Sequence, residues 1–370
     1  MENSIKSFIP LFTPDIIEAD IAAVSEVIRS GMLVQGAQVE ALEKYTNEYI
    51  GCKHTIAVSS GTSTLHLMLH VLGIGPGDEV IVPAFSYIAT ANVVELVGAT
   101  PIFVDIDINT FNINADLIEQ AITPRTRAIM PVHEFGLPAN MDAILDLANK
   151  YDLPVLEDAA CAIGSEWNGK KTGSNSYLAS FSLHPRKAIT SGEGGLICTN
   201  NDELAHKLRI LRNHGMELIN SQMDFSAAGF NYRMTDFQAA LVLSQFPRLP
   251  TQLLTKNQLA QTYSAQLDGQ KYTVPIQSEG TAHAWQTYHL LVKGNRNELI
   301  QVLKNKGIGT NYGAQCMPAM NFYVNKYKLN SEKLFPAAWA SYNQGLALPL
   351  FSTLTTEQQQ TVIQHLNNEK

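Results

Sequence analysis

Three segments of this 370-residue chain combine residue types that can do chemistry. In SFSLHPRKAITSGEGG (180–195), Ser182, His184, Arg186 and Lys187 fall within six residues, with glycines following. A lysine kept in a desolvated cleft suits Schiff-base chemistry, because the neutral amine is the nucleophile. In LEDAACAIGS (156–165), Glu157 and Asp158 close a β-like run, at the strand end where parallel sheets bind ligands. A carboxylate there can hold a proton on a heterocyclic nitrogen. In SSGTSTLHLML (59–69), small and hydroxylated residues lead into a helix carrying Leu65, Leu69 and Leu72, and the unpaired amides of such a helix start form an anion site. Taken singly, each segment also has an ordinary reading: an exposed basic cluster, a capping Asp, an N-cap.

Together they are more informative. An anion cradle, a strand-end carboxylate and a lysine, in that chain order, are what pyridoxal 5'-phosphate needs. The phosphate sits on the helix start, the carboxylate keeps the pyridine nitrogen protonated, and the lysine forms the Schiff base. A nicotinamide site would require GxGxxG in a first strand-to-helix turn. The nearest run, GEGG at 192–195, instead precedes a strand-like segment.

The elements that must position these residues alternate. Thr13 and Pro14 predict a helix start, Ile17, Ile21, Val24 and Ile28 repeat at helical spacing, and Gly31 predicts the stop. EVIVPA (79–84), TPIFVDID (100–107), RAIMPVH (127–133) and PVLEDAA (154–160) read as strands, with Met141, Ile144, Leu145 and Ala148 marking one helix between them. Strands apolar nearly throughout and separated by helix-length connections predict an α/β fold with a mostly parallel sheet covered on both faces. LASFSL (178–183) and GLICTN (195–200) predict a hairpin added to that sheet. Thr235 and Gln238 predict a capping box for a helix with Phe237, Ala240 and Leu241 on one face. Pro247 and Pro250 then place the boundary between a large cofactor-binding domain, 1–247, and a smaller C-terminal α+β domain, 248–370, containing a strand YHLLV (288–292), a helix near 296–306 and a C-terminal helix.

Composition narrows the partners. The net charge of −8, with 26 basic and 34 acidic residues scattered along the chain, argues against nucleic acid and anionic membranes. Cys52, Cys161, Cys198 and Cys316 form no CxxC pair, so neither a disulfide framework nor a zinc site is indicated, and a reducing cytoplasm is expected. MENSIKSFIP has no leader pattern, and no run approaches a membrane span. His66 and His70, one helical turn apart, lack a third ligand, so no metal is expected. His133 and His214 read as structural, Trp285 and Tyr288 as core, and Lys207, Arg209 and Arg212 as a solvated basic helix face.

Over essentially its whole length the chain resembles the DegT/DnrJ/EryC1/StrS sugar aminotransferases, which have the type I (aspartate aminotransferase) fold of pyridoxal-phosphate-dependent transferases. The motifs that carry the resemblance are SSGTSTLHL, GPGDEVIVPAFSYIATANVV, PIFVDID, PVHEFGLPANMD, EDAACAIGS, SFSLHPRKAITSGEGG, LRNHG and FNYRMTDFQAAL. The resemblance implies Lys187 as the Schiff-base lysine and proton shuttle, with pyridoxamine 5'-phosphate as the alternate cofactor form. It implies Asp158 at the pyridine nitrogen, Thr62, Ser63 and Ser182 at the phosphate, Tyr87 on the ring face, and Asn231 reaching the neighbouring subunit's cofactor in a homodimer with shared sites. Cys161 stands where the family more often has Gln or His near the ring oxygen. GTNYGAQCMP (309–318) stands where relatives often carry a histidine-containing substrate loop, leaving Tyr312 and Gln315, with His184 and Arg186, as the substrate-contact candidates.

The implied reaction moves an amino group from L-glutamate to a keto or aldehyde sugar in surface-polysaccharide (O-antigen, lipopolysaccharide) synthesis, the default acceptor being a nucleotide-linked 4-keto-6-deoxy sugar. A non-nucleotide oxidised sugar acid, such as an 8-oxo octulosonate, is the alternative acceptor. A sugar dehydratase of the same fold is disfavoured by Lys187, where such enzymes have His, and a non-catalytic binding protein by the intact lysine and aspartate.

Overall fold

The computed structural model describes residues 8–369. Residues 1–7, on which the absence of a leader pattern partly rests, lie outside the described residues. The first helix starts later than Thr13 and Pro14 predict. It spans Glu18–Ser30 (α1), because the cap forms at Ile17, whose amide donates to the Asp20 carboxylate at 2.9 Å, rather than at Thr13. Gly31 ends it as predicted, at φ 73°, where a side chain would be strained.

Seven strands form the main sheet: β1 His54–Val58, β2 Glu79–Pro83, β3 Thr100–Val104, β4 Thr126–Ile129, β5 Leu156–Asp158, β6 Leu178–Ser182 and β7 Gly195–Thr199. Their order is β1-β7-β6-β5-β4-β2-β3, with β4 and β5 joined by the parallel bridges Ile129–Val155 and Val132–Asp158. All neighbours are parallel except β7, which runs against both β1 and β6. The sheet is therefore mostly parallel, and β6 and β7 form the expected hairpin. Strands such as β2, buried at every position, require helices on both faces. Since β1, β4, β5 and β6 all run the same way, their C-terminal ends meet along one edge.

The helices include α2 Ala37–Ile50, α3 Gly61–Val71, α4 Ala89–Leu96, α5 Met141–Tyr151, α6 Asp202–Leu211 and α7 Asp236–Gln245. Helix α3 is buried nearly all round, at Leu67 and Met68 as well as Leu65 and Leu69, while Leu72 is half-buried. Helix α7 begins at the Thr235–Gln238 capping box, but buries Ala239, Ala240 and Val242, leaving Phe237 and Leu241 half-buried. A 3-10 turn, Phe246–Arg248, separates it from α8, Leu249–Gln266. Pro250 falls in the first turn of α8, where its missing N–H costs no hydrogen bond. The basic face read over 207–212 is not uniformly solvated. Arg212 is buried, pairs with Glu43 of α2 and donates to the Ala57 carbonyl of β1, while Lys207 pairs with Glu203.

A second sheet, β8 Tyr272–Thr273, β9 Tyr288–Val292 and β10 Gly345–Leu348, is antiparallel in the order β8-β9-β10. With α8, α9 (Arg296–Asn305) and the C-terminal helix Thr356–Asn368 it builds a core around Tyr263, Tyr288, Leu290, Leu303, Leu346 and Val362, joined by Ile9. Trp285 and Tyr288 are buried there, as read from the sequence. Residues between α9 and β10 return to the first core: Gln315–Cys316 pairs with Phe85–Ser86, and Phe335 and Ala338 pack among the residues beneath the main sheet. Among the described residues no helix is long and apolar enough to cross a membrane.

Candidate active site

The shared strand edge opens into a cavity of about 330 Å³. Thr62, Tyr87, Asp158, Cys161, Ser182, His184, Arg186 and Lys187 all line it, so the three motifs separated in sequence face one volume. Its far wall comes from Asn311, Gly313, Ala314, Ala347 and Leu348.

At one end lies the start of α3. The Ser60 hydroxyl caps it by accepting the Ser63 amide at 3.0 Å. A Cβ added at Gly61 would stand 2.8 Å from the Ser182 Cβ and 2.9 Å from its hydroxyl oxygen, so only glycine lets the helix start close against Ser182. The amides of this first turn, the helix dipole and the Thr62 and Ser182 hydroxyls can hold a phosphate. The Ser63 hydroxyl faces the Ser60 (2.8 Å) and Ser59 (3.2 Å) hydroxyls instead, and Ser63 is not in the cavity wall.

Asp158 leaves β5 with its carboxylate accepting the Thr90 hydroxyl at 2.8 Å and the Ala160 amide at 3.2 Å. Burial pushes this carboxyl above its usual range, with the Thr90 hydrogen bond and the Lys187 charge opposing. A protonated ring nitrogen beside it would restore the ionised form, as any cation does next to a desolvated carboxylate. His133 lies behind it. Its Nδ1 accepts the Ala139 amide at 3.0 Å, which leaves the proton on Nε2 to donate to Glu157 at 2.7 Å. The ring is fully used in holding the strand ends together.

The turn after β6 carries Lys187, whose amide donates to the His184 carbonyl at 2.8 Å. Its Nζ lies 3.0 Å from the Cys161 sulfur, and burial pushes that thiol above its usual range, so a protonated thiol faces the lysine. His184 is held below its usual range by burial and by the neighbouring Arg186 charge. Arg186 itself is exposed at the rim, its carbonyl accepting from the Gln286 side chain at 3.1 Å.

Other sequence candidates are placed elsewhere. Asn231 is exposed and outside the cavity of its own chain. Tyr312 packs edge-on against Tyr342, and Gln315 is taken up in the short strand beside Ser86. Their neighbours Asn311, Gly313 and Ala314 line the cavity in their place. His66 and His70 pack edge-on against the Phe230 ring at 5.1 Å, and His214 is an exposed turn residue at φ 59°. Sequence reasoning missed Thr90, the partner of Asp158, and Glu134, a buried acid in the wall. Glu134 stands inside the quoted PVHEFGLPANMD, where a carboxylate in an otherwise apolar strand exit was an available signal.

A profile of the DegT/DnrJ/EryC1/StrS aminotransferase family matches residues 14–367. The chain belongs to this family. It is 36% identical over 367 residues to the uncharacterized protein MJ1066 of Methanocaldococcus jannaschii, covering 95% of each chain. Among solved structures it is similar to the PMP form of the putative sugar aminotransferase Spr1654 from Streptococcus pneumoniae, with a TM-score of 0.93, 32% identity and 97% of each chain covered. Helicobacter pylori PseC, an aminotransferase of pseudoaminic acid biosynthesis, has a TM-score of 0.91 at 28% identity, with 98% of each chain covered. As a member of the DegT/DnrJ/EryC1/StrS family, the chain has the type I fold and is a pyridoxal-phosphate-dependent sugar aminotransferase. The wall fits that cofactor: an anion cradle that a Cβ at Gly61 would fill, a desolvated carboxylate at Asp158, and an amine at Lys187.

Proposed function

We propose that this aminotransferase takes the amino group of L-glutamate and delivers it to the keto or aldehyde carbon of a sugar in surface-polysaccharide synthesis, including O-antigen and lipopolysaccharide. The observation that carries this reading is the convergence of Lys187, Asp158 and the start of α3 on one cavity. When bound, pyridoxal phosphate would supply an electron sink that acidifies the carbon bearing the substrate's amino nitrogen. Lys187 is the covalent attachment point and, once released, moves that carbon's proton through Nζ. Asp158 keeps its charge against the ring nitrogen. Thr62, Ser182 and the first-turn amides of α3 hold the phosphate, and Tyr87 offers its ring face.

The default acceptor is a nucleotide-linked 4-keto-6-deoxy sugar. A specific observation favours a second reading. Among the described residues, the lysine and arginine side chains in the cavity wall are Lys187 and Arg186. With Lys187 committed to chemistry, Arg186 is the free guanidinium, and one guanidinium matches a single carboxylate in a bidentate pair. An oxidised sugar acid with an aldehyde is the acceptor that reading selects. We also read the protein as a homodimer. Met32, Val34, Leu218, Met223 and Phe225 are exposed large apolar residues, and Asn231 lies outside its own chain's cavity, as a residue serving a neighbouring subunit would.

The test is a side-by-side assay of nucleotide-linked keto sugars and free oxidised sugar acids with glutamate as donor, read by product mass. Turnover of the nucleotide-linked set alone removes the second reading, and turnover of neither removes both. The same assay on mixed Lys187→Ala and Asn231→Ala chains, each inactive alone, regains product if Asn231 works across subunits. Verified mixed dimers that stay silent remove that role.

A further inference from the structure

Glu134 is a buried acid in the cavity wall that no step above uses. Its Oε2 is buried and has no hydrogen-bond partner in the chain, and the Ser86 hydroxyl adjoins the carboxyl group. A buried carboxyl oxygen without a partner is expensive unless something else engages it.

The backbone that carries it is held against strain. Phe135, the next residue, has φ 55°, a left-handed conformation that an aromatic residue rarely adopts. Asn112 ties the turn down by accepting the Glu134 amide at 2.8 Å and donating to the Leu137 and Pro138 carbonyls at 3.0 and 3.1 Å. The His289 ring stacks on Phe135 at 4.4 Å. A turn fixed this firmly holds its side chains in place, and Glu134 is the ionisable one that it brings to the cavity wall, beside Phe135.

Its position along the sheet selects the target. In the order β1-β7-β6-β5-β4, the cradle residues Thr62 and Ser182 lie after β1 and at the end of β6, Asp158 ends β5, and Glu134 follows β4 on the opposite side of Asp158. Pyridoxal carries its phosphate arm and its phenolic oxygen on opposite sides of the carbon that bonds the lysine. With the arm toward β1 and β6, that oxygen faces the β4 side. Cys161, a weak donor already beside the Lys187 amine, is a poor partner for it.

We propose that Glu134 is the hydrogen-bond donor to the phenolic oxygen of the cofactor, a role that rests on Lys187 being the attachment point. Other ionisable groups facing or adjoining Glu134 are Asp158 at the end of β5, Cys161 after it, Lys187 after β6, and His289 and His283 from the second-sheet side. Burial drives both histidines down to about 3, so neither is charged near neutrality. Burial, with Asp158 adding to it, raises the Glu134 carboxyl to about 8, against the pull of Ser86 and Lys187, so at neutral pH it has a proton to donate.

The experiment is a spectrophotometric pH titration of holoenzyme reconstituted with pyridoxal phosphate, for wild type, Glu134→Leu, Glu134→Gln and Cys161→Ala. Borohydride labelling first checks that Lys187 carries the cofactor in each; label elsewhere in wild type overturns the attachment reading and this proposal with it. A donor stabilises the phenolate and makes the lysine-linked nitrogen easier to deprotonate. Removing the donor in Glu134→Leu therefore raises the midpoint, by about one pH unit or more. Glu134→Gln, which keeps a neutral donor, stays closer to wild type, and Cys161→Ala moves less than Glu134→Leu. A Glu134→Leu midpoint equal to wild type, or one matched by Cys161→Ala, overturns the proposal. A Glu134→Gln midpoint displaced as far as that of Glu134→Leu does the same.

Discussion

Asp158 and Glu134 are two carboxyls in one desolvated cavity, and their partners separate them. Asp158 accepts two hydrogen bonds, which ready it for a cation, whereas Glu134 keeps an unpartnered oxygen and stays neutral. Glu134 has its folded-state value raised from 4.5 to about 8, so the folded chain holds a proton that the unfolded chain has released. Stability from this group is fully present below about 4.5, falls as pH rises, and is lost above about 8. The cofactor-free Glu134→Gln protein cannot lose that proton. In urea unfolding, its loss of stability between pH 5 and pH 8 should be smaller than the wild type's by roughly 3–4 kcal/mol. Equal losses would show that Glu134 ionises freely in the fold. That Lys187 and Asp158 meet at one cavity was readable from a basic residue before glycines and an acid at a strand end. Glu134 gave only the signal of a carboxylate at a strand exit, and its place in the cavity wall depends on the left-handed Phe135 and on Asn112, 22 residues away. Tyr312 and Gln315 lie in the loop that walls the cavity, but Asn311, Gly313 and Ala314 face it in this chain, because neither pairing with Ser86 nor packing on Tyr342 leaves a local sequence signal.

At the scale of elements, the phosphate cradle depends on how closely α3 approaches the end of β6. Gly61 is what permits it. Gly61→Ala should push the two apart and weaken cofactor binding about tenfold or more, since overpacking typically costs about 1–3 kcal/mol. Ser63→Ala should leave affinity near wild type, because that hydroxyl faces Ser59 and Ser60. Equilibrium dialysis of pyridoxal phosphate checks both, and the reverse order would misplace the cradle. The strands were readable because β2 through β5 are short apolar runs between helical patterns. The start of α1 was not, since the helix is capped at Ile17, whose amide donates to the Asp20 carboxylate one turn in, with no N-cap side chain to mark it.

At the scale of the whole molecule, the parallel strands bring the residues following β1, β4, β5 and β6 to one edge. The chain then closes the cavity with residues 311–314 and β10 from the second sheet. Alternation of strand and helix foretold that edge. The closing wall was harder to read, since it depends on the segment after α9 returning to pair beside Phe85 and Ser86. Everything proposed for the cavity requires that its lysine be the one that bears the cofactor. The direct measurement is borohydride reduction of the holoenzyme, followed by proteolysis and peptide mass analysis. The account predicts the reduced cofactor on the peptide containing Lys187, and loss of that label in Lys187→Ala protein that still binds pyridoxal phosphate noncovalently. Label on any other lysine, or none after reconstitution, would contradict it.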